Sequence, residues 1–293
     1  MHGKLLDPGV LEALSHLEFV TRRRFRGTGA GERPGGVAGG RGEFSGHAPY
    51  VPGADFRDID WNLAARHDAL QVREFRREEA IPVRIFLDAS GSMAWGRPSK
   101  FDLARRLAAG LAWIALARHD PVRLACARGH RSDEGRLFRG PGAFPEVVRE
   151  LEGHEAGGAL ELSRAIHEAL RHDPDAALSF WITDGYGGKE ARGEVRRLPG
   201  RAQDAVLLLV SAAEEIDPAA GGNVRLADSE TGEEFDLALG PGELRRYREA
   251  YAAFAEEWRT LALTSGVRFA WVRTDQPLED LFFRVFTRAG VLA

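Results

Sequence analysis

One stretch constrains this chain more than any other: Ile81 to Trp95, reading IPVRIFLDASGSMAW. Val83, Ile85, Phe86 and Leu87 form an apolar run that stops at Asp88, Ser90 and Ser92. A run of this length closed by a turn residue, Gly91, reads as a buried strand. The turn after it sets a carboxylate and two hydroxyls at alternate positions, with small residues between them. Small residues let the backbone fold so that all three oxygens can face one point. Hard oxygen donors gathered in this way suit a small divalent cation such as Mg²⁺.

The same kind of run recurs. Ala177 to Thr183 is a second strongly apolar strand, and it too ends in a carboxylate, Asp184, followed by Gly185. Ala205 to Val210 is a third. Val122 to Ala127 and Val267 to Val272 read as further strands, and Arg136 to Phe138 as a short edge strand. Between them lie helical patterns at Lys100 to Arg118, Phe144 to Leu151, Leu160 to Leu170, Leu244 to Leu263 and Leu278 to Arg288. Tyr247, Tyr251, Phe254 and Trp258 fall at helical spacing and read as core contacts. Near-continuous apolar strands alternating with helices imply a mostly parallel α/β sheet covered on both faces. Ligands in such sheets collect at the carboxyl ends of strands where the winding reverses. Asp88 and Asp184 both stand at strand ends. If their strands are neighbours, the two turns meet in a single crevice.

Ahead of this pattern, Pro8 to Arg24 reads as an amphipathic helix with Val10, Leu11, Leu14, Leu17 and Val20 on one face. Gly27 to Gly46 is glycine-rich but lacks the Gly-Lys-Ser/Thr ending of a phosphate cradle, and a flexible surface loop is expected. In Tyr50 to Glu79, Asp58 is placed to cap a short helix from Ile59 to Arg66, with Trp61 packing inward. Leu70, Val72 and Phe75 suggest a following strand, and Asp55, Arg57, Asp60 and Arg66 a local ion-pair network. Val224 to Leu239, with Thr231-Gly232 in its middle, reads as a hairpin. The expected organisation is an N-terminal region over residues 1–80 and an α/β domain over 81–293, with a hairpin insertion at about 217–240.

Composition excludes some functions. At 44% hydrophobic and 29% charged residues in 293, a packed core is expected and bulk disorder is not. A formal net charge of −4 supplies no overall positive field, which argues against a general nucleic-acid binder. The single cysteine, Cys126, forbids an intrachain disulfide or a cysteine metal cluster and reads as a core residue. His119, His154 and His167 are scattered and read as surface residues. Neither a secretion signal nor a membrane span is visible, so a soluble cytoplasmic protein is expected.

The Asp88-x-Ser90-x-Ser92 string after a buried strand, with Asp184 ending another, resembles the von Willebrand factor A fold and its metal-ion-dependent adhesion site. The preceding PGADFRDIDWNLAARHDALQVREFRREE resembles the signature of the DUF58 family, bacterial proteins that carry such a domain behind a distinctive N-terminal region. The resemblance runs from about Gly40 to the C-terminus. It implies a Rossmann-like, mostly parallel six-strand sheet with helices on both faces. It also implies a metal site of Asp88, Ser90, Ser92 and Asp184, holding Mg²⁺, or Mn²⁺ or Ca²⁺ in its place. In such sites the serines bind the ion directly, the aspartates bind directly or through water, and a partner's carboxylate can complete the coordination. Family members often work with a MoxR-type AAA+ ATPase. The resemblance therefore implies a non-catalytic adaptor that binds the ATPase, a client protein or both.

The chain departs from the pattern twice. The third loop of such sites presents a threonine after two glycines, and here Gly157-Gly158-Ala159 offers no oxygen. Because Mg²⁺ wants about six oxygens, a weaker site is expected; Glu161 and Ser163 lie nearby without their spacing selecting either. Ala54 also stands where the family has a second acidic residue before Asp55. Two other readings stay open. One is a structural domain with a degenerate metal site. The other is a Mg²⁺-dependent, phosphatase-like hydrolase with Asp88 as nucleophile, although Ser90 then occupies the place of the general acid and cannot transfer a proton at neutral pH.

Overall fold

The computed structural model describes residues 5–21, 43–51, 56, 59–67, 70–76, 80–129, 131–132, 135–172, 176–186, 188–199, 204–218, 222–227 and 233–293. The chain divides into two compact units, residues 25–80 and the remainder, 1–24 with 81–293. The described residues 5–21 group with the sheet unit.

Helix α1 (Pro8–Leu14) begins with proline in its first turn, where the missing N–H costs nothing. It stops at Leu14, well short of the expected Arg24. From Leu17 the chain runs extended: Phe19 bridges Leu292, and Glu18 and Ala293 exchange N–H···O bonds of 3.1 and 3.0 Å. Leu17 and Phe19 are buried while Glu18 and Val20 face solvent, a period of two that the helical reading overlooked. Pairing with the C-terminal residues overrides local helical propensity there. Arg22 to Arg24 lie outside the described residues.

In the smaller unit, β1 (Glu43–Pro49) pairs antiparallel with β2 (Gln71–Arg76), with a bulge between Phe44 and Gly46. The tail of the glycine-rich stretch is therefore strand rather than loop; residues 27–42 lie outside the described residues. Between the strands, α2 (Trp61–His67) is capped by Asp60, whose Oδ1 accepts the N–H groups of Asn62 and Leu63 at 3.1 Å each. The expected cap, Asp58, lies outside the described residues, as do Asp55 and Arg57. Trp61 does not pack inward: it is 62% exposed, and the buried apolar residue is Ile59, which bridges Val72. Asp60 also meets His47 at 3.1 Å.

The larger unit starts with β3 (Val83–Asp88), a 3₁₀ turn at Gly91–Ala94 and α3 (Lys100–Ala117). There follow β4 (Val122–Arg128), β5 (Arg131–Ser132), β6 (Arg136–Phe138), α4 (Phe144–Gly153) and α5 (Leu162–His172). Next come β7 (Leu178–Thr183), α6 (Gly188–Val195), β8 (Asp204–Ser211) and α7 (Ala213–Ile216). A hairpin of β9 (Gly222–Ala227) and β10 (Glu234–Leu239) precedes α8 (Pro241–Thr264), β11 (Arg268–Arg273) and α9 (Leu278–Asp280). The last helix continues through a π-helical stretch, Leu281–Phe286. The hairpin was expected from its alternation, although Thr231 and Gly232 themselves are not described.

The main sheet has the order β11-β8-β7-β3-β4, all parallel, and β5 and β6 share the outer edge of β4 as two short antiparallel segments. It is the expected mostly parallel sheet with six strand positions. Two apolar layers cover it. Ile85 and Leu87 point to the side of α1, α3, α4 and Phe282, while Phe86 points to the side of α5, α6 and α8. Strands buried on both faces must read as unbroken apolar runs, which is why they were visible in the sequence.

Candidate functional site

Strands β3 and β7 are hydrogen-bonded neighbours, in register from Val83 opposite Leu178 to Leu87 opposite Ile182. The crossover from β3 runs through α3 on one face, and that from β7 through α6 on the other. The winding of the sheet thus reverses between these two strands, and sheets of this kind place their ligand sites at the carboxyl ends beside such a reversal. Asp88 and Asp184 stand at these two ends, both buried.

Asp88 is 2% exposed. Its Oδ1 accepts the Ser90 N–H at 2.9 Å and its Oδ2 accepts the Thr183 hydroxyl at 2.7 Å. Burial first, and then the nearby charge of Asp184, push its carboxyl up to about 6. The Ser90 and Ser92 hydroxyls lie 3.0 Å apart. The Gly157-Gly158-Ala159 loop is stitched to the same turn: Gly157 N–H donates to Ala89 O at 2.9 Å, and Gly91 N–H to Gly158 O at 2.8 Å. Ala159 therefore belongs to this neighbourhood by backbone position, and it is exposed. Glu161 and Ser163 follow at the start of α5.

Asp184 is held differently. Its Oδ1 accepts the Tyr186 N–H at 3.2 Å and its Oδ2 lies 2.8 Å from Lys100 Nζ. The turn between them needs Gly185: its φ is +79°, and a Cβ would stand 2.6 Å from Trp258 Nε1. Lys100 has no exposed surface and also meets Glu215 of α7 at 2.5 Å. Its Nζ sits 4.8 Å from the centre of the Tyr186 ring. Desolvation, then the charge of Glu215, raise the Tyr186 phenol above its ordinary value, so it stays neutral. Two aromatics open to solvent stand on the loops that carry the acids, Trp95 at 57% and Tyr186 at 46% exposure.

The four expected residues thus fall into two groups. Asp88, Ser90 and Ser92 share one turn, while Asp184 lies close enough to Asp88 to act on its charge yet is tied to Lys100. The first group fits a hard divalent cation by chemistry, since it offers one buried carboxylate, held by an N–H and a hydroxyl rather than by a cation, and two hydroxyls. Among the described residues no set of three or more His, Cys, Asp or Glu side chains forms a metal cage, so a cation here would rest on mixed oxygens and water. The sequence reading did not include Thr183, Lys100, Tyr186 and Glu215 in the site. Thr183 could have been found from its place beside Asp184, but nothing local marks the other three.

The fold and these residues define an α/β protein with two buried acids at the switch point of a mostly parallel sheet. The family model described as Protein of unknown function DUF58 matches residues 47–260, and the chain belongs to that family. An uncharacterized protein of Mycobacterium tuberculosis is 23% identical over 307 residues, covering 100% of this chain and 94% of its own length. One from Mycobacterium bovis matches to the same extent. Among solved structures, conserved hypothetical protein BatB from Bacteroides thetaiotaomicron is 18% identical over 68% of this chain and 92% of its own, with a TM-score of 0.40. An aerotolerance-related membrane protein from Bacteroides fragilis is 17% identical over 67% and 92%, with a TM-score of 0.41. Among the described residues of this chain, no helix is long and apolar enough to cross a membrane.

Proposed function

We propose that the sheet unit is a von Willebrand factor A-like domain acting as a cation-dependent docking module in the cytoplasm. The turn at Asp88 takes a divalent cation, Mg²⁺ first, and through it binds an acidic group of a protein partner. The partner implied by the family resemblance is a MoxR-type AAA+ ATPase, with or without a client protein. The observation that carries the reading is Asp88 itself: a buried carboxylate held by an N–H and a hydroxyl rather than by a cation, on the same turn as two hydroxyls 3.0 Å apart. A buried anion that costs free energy in the empty protein is a ready counter-charge for a cation. When bound, the cation would supply a Lewis-acidic contact for an incoming oxygen. Asp88, Ser90 and Ser92 would hold it, Thr183 orients Asp88, and Trp95 and Tyr186 offer exposed apolar surface on the loops that carry the two acids. The hydrolase reading gains nothing from the geometry, because the Ser90 hydroxyl, paired with Ser92, supplies no general acid.

Titration of Mn²⁺ or Mg²⁺ into the purified chain tests the site. Saturable binding is expected, with Asp88→Ala abolishing it; equal binding by that variant removes the site. Ala159→Thr returns an oxygen to the third loop and is expected to tighten binding, and no change there would mean that loop does not ligate. A pull-down from native extract with and without Mg²⁺ then reads the partner.

A further inference from the structure

The cation reading gives no task to the buried cation beside Asp184. Lys100 is fully buried, and a buried ammonium persists only where its charge is met. Here it is met on three sides, by Asp184 at 2.8 Å, by Glu215 at 2.5 Å and by the face of Tyr186 at 4.8 Å. Its anchor is equally well held. Ser99 caps α3 by accepting the Asp102 N–H at 3.0 Å, and the Lys100 N–H donates to Trp95 O at 2.9 Å. Lys100 is therefore mounted directly behind the turn that carries Ser90 and Ser92. Glu215 is fixed in turn, since its Oε2 accepts the Ala212 N–H at 2.9 Å and the Tyr251 hydroxyl at 3.3 Å.

We propose that Lys100 is a positioning residue that serves as a tethered internal cation. It retains Asp184 and keeps that carboxylate from coordinating a divalent ion at Asp88, Ser90 and Ser92, and so sets the affinity of the site. The proposal rests on the cation reading above. Asp184 Oδ1 accepts the Tyr186 N–H, and Oδ2 is held by charge alone, in an ion pair with the ammonium at 2.8 Å and without a hydrogen bond. An oxygen shared with the ammonium would have to approach Mg²⁺ to about 2.0–2.1 Å, which brings two cations close together. The charge balance points the same way. Asp184 and Glu215 together face one Lys100, and Asp88 lies near enough to Asp184 to be acted on by its charge, so the group as a whole is short of positive charge. Without the ammonium, Asp184 is released toward Asp88 and the demand for a cation grows.

The test uses the full chain and Mn²⁺ alone, with free ion followed by electron paramagnetic resonance, heat by calorimetry and unfolding temperature in EDTA. Lys100→Met is expected to lower the unfolding temperature yet tighten Mn²⁺ binding by about tenfold or more. Asp184→Asn is expected to weaken wild-type binding only several-fold, but to cancel most of the gain in the Lys100→Met background; that non-additivity is the signature of direct coupling. A lysine with a purely structural role would weaken ion binding in step with stability. Unchanged or weaker binding by Lys100→Met, or strict additivity with Asp184→Asn, overturns the proposal. Should Lys100→Met fail to fold, Glu215→Gln serves instead. It leaves the ammonium to Asp184 alone and is expected to weaken Mn²⁺ binding several-fold, whereas tighter binding would count against the role. Wild-type binding that depends on Asp88 but is indifferent to Lys100 ends this inference only. Absence of Mn²⁺ binding in every variant ends the cation reading and this inference with it.

Discussion

At the scale of the residue, Asp88 carries the energetics of the site. Burial and the Asp184 carboxylate raise its carboxyl from 3.8 to about 6, so in this interval the folded chain holds more of a proton than the unfolded chain does. The sign follows: without metal, stability falls as pH rises from about 4 to about 6 and then levels, and the loss attributable to this group is at most about 3 kcal/mol. The facing charged groups are Asp184 and, behind it, Lys100 with Glu215. Denaturant melts in EDTA across this range are expected to show the decline, and saturating Mg²⁺ to flatten it. Asp88→Asn should remove the burden. In EDTA at pH 7.5 it is expected to be more stable than wild type by about 1–2 kcal/mol while losing cation binding, the trade between stability and function usual at binding sites. A destabilised Asn variant would show that the charge of Asp88 is already met within the protein. The carboxylate and the two serines were legible because they are contiguous in sequence after an apolar run. Thr183, which donates to Asp88 at 2.7 Å, was passed over as the end of a strand.

At the scale of the element, α3 shows how packing overrides propensity. Gly110 sits inside a long helix, where alanine at an exposed site would gain about 1 kcal/mol. Here a Cβ would stand 2.3 Å from Phe282 Cζ in the closing helix. Gly110→Ala is expected to destabilise by about 1–3 kcal/mol, measured by chemical denaturation, because a ring locked in the core cannot yield. A stabilised variant would mean that this helix pair has room to separate. Other elements differ from their sequence signals for reasons of the same kind. The apolar positions after Leu14 fit a helix and a strand equally, and the backbone partners at Val291 to Ala293 chose the strand. Trp61 fitted a helical face, but Ile59 took the buried place.

At the scale of the whole molecule, the sheet unit is closed by its own two ends. The segment after α1 pairs with the last residues, and α1 lies on α3 with the Trp113 indole donating to Leu11 O at 2.8 Å. Leu14, Leu17 and Phe19 belong to the same apolar core as Phe282 and Leu292. Leu14→Ala is expected to cost about 2–4 kcal/mol of global stability by denaturant melt. Deletion of residues 1–20 should lower the unfolding temperature of the whole sheet unit in a single transition. An unchanged transition would show that the N-terminal segment is not part of its cooperative core.

The apolar runs of β3, β7 and β8 and the acids at the ends of the first two were determined by sequence alone, since a strand buried on both faces needs an unbroken apolar stretch wherever it stands. Which strands became neighbours was decided only by the tertiary structure, through the winding that places β7 against β3 and so Asp184 near Asp88. It also decided the partners of Lys100: Glu215 is 115 residues away in sequence, and no periodicity links the two. Local patterns record which residues must be buried, while the pairing of charges within that burial depends on a chain path that only the packed sheet defines.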